Sequence, residues 1–121
     1  MEKTILVIDD SPFVGKQICD TVEGYYKVIY CAKSGEEGFD KYKELRPDFV
    51  ILDIIMPGID GLATAKLILK EQPAAKIIML SSLCDEDTIE DVHDIGVKYL
   101  LPKPMDPETF LETLKELEKD I

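Results

Sequence analysis

Five polar side chains stand where apolar runs of this sequence stop. They are Asp9 and Asp10 after ILVI, Asp53 after FVIL, Ser81 after IIML, and Lys103 after VKYLLP. The run Phe49–Leu52 is apolar throughout and is followed by the turn residues Met56-Pro57-Gly58, the pattern of a strand buried on both faces. A carboxylate costs several kcal/mol to bury alone, so Asp53 must be paired, metal-bound or at a rim. In a parallel sheet the carboxyl ends of the strands share one edge, where ligands of such sheets collect. Three carboxylates brought to that edge repel one another unless a cation joins them. Oxygen-only donors suit a hard divalent ion such as Mg²⁺, which takes one or two carboxylates and keeps several waters. Lys103 adds an ammonium and Ser81 a hydroxyl. That set fits a transferring phosphoryl group, whose chemistry is mostly positioning and charge neutralisation. A carboxylate such as Asp53 can itself be the acceptor, forming an aspartyl phosphate.

Taken singly, each residue has a structural reading. An Asp after a strand is often a turn or cap residue, a lone Lys103 is a solvated surface lysine, and Ser81 is a loop hydroxyl capping the next helix. The functional reading rests on coincidence, since fitting residue types occupy four strand ends of five.

The elements that must position them alternate regularly. Thr4–Ile8 and Tyr26–Ala32 read as strands, with a helix between them opened by Ser11-Pro12 and striped by Val14, Ile18 and Val22. Ser34 and Glu37 form a capping-box pattern for a second helix, with Phe39, Tyr42 and Leu45 as its inner stripe. Asp60 caps a third helix facing inward through Leu62, Ala65, Ile68 and Leu69, closed by Gln72-Pro73. Lys76–Leu80 is a fourth strand, and Asp85–Ile95 a helix with Ile89, Val92 and Ile95 inward and Gly96 as its stop. Val97–Leu101 is a short fifth strand, and Asp106-Pro107 opens a last amphipathic helix with Phe110, Leu111, Leu114 and Leu117 inward. Strand then helix, five times, is the signature of an α/β fold: a doubly wound parallel sheet with helices on both faces. The expected organisation is one domain over residues 1–121.

Composition narrows the function. Acids outnumber bases 25 to 14, a formal net charge of −11, and the lysines are scattered singly among glutamates. Such a chain repels nucleic acid and anionic membrane surfaces, so neither direct nucleic-acid binding nor membrane insertion is expected. The start MEKTILVIDDSPF is neither a signal peptide nor a transmembrane helix, which points to a cytoplasmic domain. Cys19, Cys31 and Cys84 are odd in number, lack metal spacing, and read as small buried hydrophobes of a reducing compartment.

The chain resembles a receiver domain of a two-component response regulator over essentially its whole length. The resemblance is carried by VIDDS, LDIIMPGIDG, MLSS and GVKYLLPKP. It implies a CheY-like, flavodoxin-like five-stranded sheet of order 2-1-3-4-5. It implies phosphorylation of Asp53 by a phosphohistidine kinase, with Mg²⁺ held by Asp10, Asp53 and the backbone carbonyl of Ile55, and Asp9 acting through water. Lys103 and Ser81 would bind the phosphoryl group, and the Lys103–Pro104 bond is commonly cis in the family. The expected partners are a sensor histidine kinase or phosphotransfer protein and an output protein or fused effector domain, with homodimerisation on phosphorylation also compatible. The surface read by the output is expected between Asp85 and Leu117.

Two departures stand out. The family usually has a Tyr or Phe three residues before the lysine, where this chain has Leu100, while Tyr99 is one place earlier and faces the other side of the strand. Ile55 and Leu83 occupy positions that influence phosphate loss in the family, and neither can orient a water, so slow autodephosphorylation is expected. The lone His93 reads as a solvated residue. Competing readings are an Asp-nucleophile phosphatase, disfavoured by Ile55 where an acid is wanted, and a flavodoxin-like cofactor binder, disfavoured by carboxylates where phosphate would sit. A phosphorylation-independent receiver-like interaction module is the alternative that shares the fold.

Overall fold

The computed structural model describes residues 2–119, so residues 1, 120 and 121 of the expected domain lie outside it. Its elements follow one another as β1 (Lys3–Ile8), α1 (Pro12–Val22), β2 (Tyr26–Ala32), α2 (Gly35–Leu45), β3 (Phe49–Asp53), α3 (Gly61–Glu71), β4 (Ile77–Ser81), α4 (Glu86–Asp94), β5 (Tyr99–Pro102) and α5 (Pro107–Lys119). The strands form one parallel sheet of order β2-β1-β3-β4-β5. Every residue of β3 and β4 is buried, as continuous apolar runs in a two-sided sheet require.

The sheet separates two cores. One side holds Leu6, Ile8, Leu52 and Met79 against Tyr42, Ala65, Ile68 and Val92. The other holds Ile5, Val7, Ile51 and Leu80 against Ile18, Val22, Phe110 and Leu114. Side-chain alternation along each strand sets this division, because a one-residue step reverses the face. Leu100 therefore packs against the first core and Tyr99 against the second.

Most helix starts are made as the sequence indicates. Asp60 Oδ1 accepts from Ala63 N–H at 2.8 Å, and Asp106 Oδ2 from Thr109 N–H at 3.0 Å. Ser34 Oγ accepts from Glu37 N–H at 3.1 Å, but Glu37 reaches back to Lys33 N–H, one residue before the cap. Ser11 occupies the N-cap of α1 without capping it through its side chain.

Several expectations are corrected. Leu45 and Ile89 are exposed, not inward. The buried face of α2 is Gly35, Gly38 and Tyr42, and a Cβ on Gly38 would stand 2.5 Å from Ile8 Cδ1. α2 thus meets β1 through the bare backbone of Gly38, which an apolar-pattern reading does not see, beside the expected Tyr42. β5 begins at Tyr99 instead of Val97, because Val97 N–H bonds back to Val92 O at 3.2 Å and closes α4. All three cysteines are exposed instead of buried.

Candidate functional site

The carboxyl edge of the sheet is built by backbone bonds that carry each strand's last residue to one level. Asp9 N–H donates to Ala32 O at 3.0 Å, and Ile54 N–H to Leu80 O at 3.3 Å. Lys103 N–H donates to Ser81 O at 3.0 Å, which extends the β4–β5 ladder and roots the lysine beside Ser81. The Lys103–Pro104 peptide bond is cis. Gly61 seats α3 against the end of β3: its N–H donates to Ile54 O at 2.8 Å. A Cβ there would run into the Asp53 carbonyl oxygen and stand 2.6 Å from Ile54 Cα. This glycine was not singled out from the sequence, although it ends the stretch PGIDG.

The side chains converge as their strand ends predict. Lys103 Nζ lies 2.9 Å from Asp9 Oδ2 and 3.3 Å from Asp53 Oδ2. Asp9 Oδ1 accepts from Ser11 N–H at 2.9 Å, and Asp53 Oδ1 from Ile55 N–H at 3.3 Å. Asp9 and Asp53 are buried, while Asp10 is exposed beside them. Ser81 is 0% exposed and its Oγ accepts from Leu83 N–H at 2.9 Å, leaving the hydroxyl hydrogen available to donate. Asp85, not Ser81, caps α4, accepting from Thr88 N–H at 2.8 Å. Ile55 and Leu83 project apolar side chains at the rim, 53% and 52% exposed. His93 is exposed on α4.

The electrostatics are those of a site short of positive charge. Burial and the charge of Asp9 push the Asp53 carboxyl above the ordinary carboxylate range, against the opposing pull of Lys103 and the Ile55 N–H. Burial pulls Lys103 down, but its bond to Asp9 and the charges of Asp9 and Asp53 together carry it above the ordinary lysine value. One ammonium thus pairs with two buried carboxylates, and a third, exposed, stands beside them. Oxygens of Asp9, Asp10 and Asp53 lie within 4.8 Å of one another. That all-oxygen donor set, with one member open to solvent, fits a hard divalent cation such as Mg²⁺.

The sequence model of the response regulator receiver domain matches residues 5–115. The chain belongs to the receiver domain family. Among similar proteins, this receiver is 35% identical over 120 residues to chemotaxis protein CheY of Thermotoga maritima, covering 98% of this chain and 100% of that one. It is 38% identical over 119 residues to chemotaxis protein CheY of Treponema pallidum, covering 95% and 82% respectively. Its backbone superposes with a TM-score of 0.90 on the CheY of a CheX–CheY–BeF3–Mg²⁺ complex from Borrelia burgdorferi, at 32% identity, covering 95% of this chain and 88% of that one. The receiver is therefore CheY-like, a signalling module of the two-component type. No helix among the described residues is long and apolar enough to cross a membrane.

Proposed function

We propose that this receiver takes a phosphoryl group from a phosphohistidine onto the Asp53 carboxylate and changes its partner surface in response. The observation that carries this reading is the position of Asp53, buried at the end of β3 within ion-pair distance of Lys103 and beside Asp9 and Asp10. In the transfer, an Asp53 carboxylate oxygen bonds to phosphorus, the phosphorus–nitrogen bond of the donor breaks, and the imidazole nitrogen keeps the electron pair. Asp10, Asp53 and the backbone carbonyl of Ile55 would hold Mg²⁺, with Asp9 acting through water. When bound, that ion supplies neutralisation of the negative charge gathered at the acids and the phosphoryl oxygens. Lys103 would exchange one of its carboxylate partners for a phosphoryl oxygen.

The module acts on no external substrate; beyond accepting and losing its own phosphoryl group, it binds partners. Phosphorylation adds a charge of about −1.5 to −2 and three strong acceptors at the sheet edge. The Ser81 hydroxyl and Lys103 satisfy those acceptors better in one arrangement of their loops than in another, and the equilibrium shifts by that difference. Both residues stand at the base of α4, β5 and α5, which makes this face the surface offered to an output protein or a linked effector. A sensor histidine kinase or phosphotransfer protein would be the donor, in the cytoplasm, and a second copy of the chain is a further partner open to the phosphorylated form. One receiver domain over the whole chain would carry all of these roles.

Incubation with acetyl phosphate and Mg²⁺, read by intact mass, tests the reading. The parent should gain one phosphoryl mass only with the metal present, and Asp53→Asn should gain none. A parent without Mg²⁺-dependent gain would instead be a phosphorylation-independent interaction module.

A further inference from the structure

Outside the phosphoryl site, α1 and β2 meet over two sulfur atoms. Gly15 allows the close approach: a Cβ there would lie 3.0 Å from Cys31 Sγ and 3.7 Å from Cys31 Cβ. Cys19 is one helical turn further along α1, on the same face as Gly15. Cys19 acts electrostatically on the Cys31 thiol, and both residues are free and exposed. The two also line one recess of about 220 Å³, walled by Val7, Pro12 and Gly15 and bordered by the charged Asp9, Lys16 and Lys33. A disulfide needs Cα atoms within about 7 Å, and the approach of α1 to β2 at Gly15 and the recess shared by the two cysteines favour that reach.

We propose that Cys19 and Cys31 are a reversible thiol–disulfide site that joins α1 to β2 in response to a hydroperoxide. Desolvation of its sulfur beneath α1, with the charge and hydrogen bond of Cys19, pushes the Cys31 thiol up, which favours Cys31 as the resolving thiol. The Cys19 sulfur attacks a peroxide oxygen, the O–O bond breaks, and Cys19 becomes a sulfenic acid as one water leaves. The Cys31 sulfur then attacks the Cys19 sulfur, the S–O bond breaks, and a second water leaves with the Cys31 proton. Two thiols and one hydrogen peroxide give one disulfide and two waters. A dithiol reductant reverses the reaction by exchange. The bond would fix α1 over the sheet beside the loop that delivers Asp9 and Asp10.

The test is hydrogen peroxide treatment of the full chain, followed by acid quench, alkylation, intact mass and peptide mapping. Alkylatable thiols should fall from three to one, leaving Cys84, and return to three with a dithiol reductant. A peptide linking Cys19 to Cys31 should appear in the parent and be absent from Cys19→Ser and Cys31→Ser. Three thiols persisting, sulfinic acid on Cys19 without a link, or links made only through Cys84 or between copies would each overturn the proposal. Should a serine variant fail to fold, peptide mapping of the parent still decides.

Discussion

Lys103 Nζ sits 3.3 Å from Asp53 Oδ2, yet it does not return that carboxyl to ordinary acidity. Burial and the neighbouring charge of Asp9 outweigh it, so the metal-free protein holds its central acid at a cost. The sign follows from linkage. A carboxyl whose pKa is raised on folding favours the folded state most below its unfolded value, about pH 4, and loses that contribution as pH rises through the folded value. Asp53→Asn, which removes the charge and keeps the shape, should therefore stabilise the metal-free protein at neutral pH. A gain of about 1 kcal/mol corresponds to roughly 4 °C in Tm for a domain of this size. Thermal unfolding at pH 7 and pH 3.5 in the presence of a chelator checks it: the gain should be present at the first and absent at the second.

Removing the lysine should do the opposite. Lys103→Met keeps an apolar stem but leaves Asp9 and Asp53 buried without their shared cation. Breaking a buried pair on one side costs several kcal/mol; with Lys103 partly solvated, we expect about 2 kcal/mol. Because folding raises the lysine's pKa, its contribution is full below about pH 10.4 and is lost as pH rises through the folded value. The loss in Lys103→Met, measured by urea unfolding, should thus be nearly constant between pH 7 and pH 9. A deficit that vanished across that interval would show that Lys103 does not hold the acids.

What the sequence made legible, and what it did not, divides along physical lines. Asp9, Asp53, Ser81 and Lys103 could be placed because strand ends are marked by where apolar runs stop, and parallel strands end on one edge. The buried face of α2 was legible only in part: Tyr42 and Phe39 pack inward as expected, but Gly35 and Gly38 contribute closeness in place of side-chain area. Leu45, expected on the same stripe, is exposed. The exposure of Cys31 was not legible because average cysteine burial says nothing of a strand at the sheet edge, as β2 is. Gly61 was likewise invisible as a site residue: its role is an approach to the Asp53 backbone that only the fold creates.

The output face should respond through Leu100 more than through Tyr99. Leu100 packs on the side of the sheet that carries α3 and α4, and Tyr99 on the side that carries α1 and α5. A ring at position 99 therefore cannot follow Ser81 toward the phosphoryl group from the α4 side. Adding Mg²⁺ and beryllofluoride should move backbone amide shifts across 85–117, with Leu100 among the most displaced. Leu100→Ala should shrink the shifts in α4, whereas Tyr99→Ala should leave them near the parent pattern. Unchanged shifts across 85–117 would remove this face as the route of the signal.

Phosphate lifetime should be set by Ile55 and Leu83. They follow Asp53 and Ser81 by two residues each, are about half exposed, and each offers only carbon to an approaching water. Hydrolysis needs a water held in line with the bond to Asp53, with a group accepting its proton or fixing its orientation. A positioned proton acceptor contributes typically 10²–10⁴-fold, and neither side chain can act as one. The double variant Ile55→Asn, Leu83→Glu should therefore lose phosphate at least about tenfold faster, a small part of that range. Both positions lie outside the packed core, so stability should change little, and urea unfolding separates the two effects. The phosphorylated protein, freed of donor and followed by intact mass over time, gives the rate directly. A double variant decaying no faster than its parent would place the limit elsewhere, in Lys103 or in the geometry of Asp53 itself.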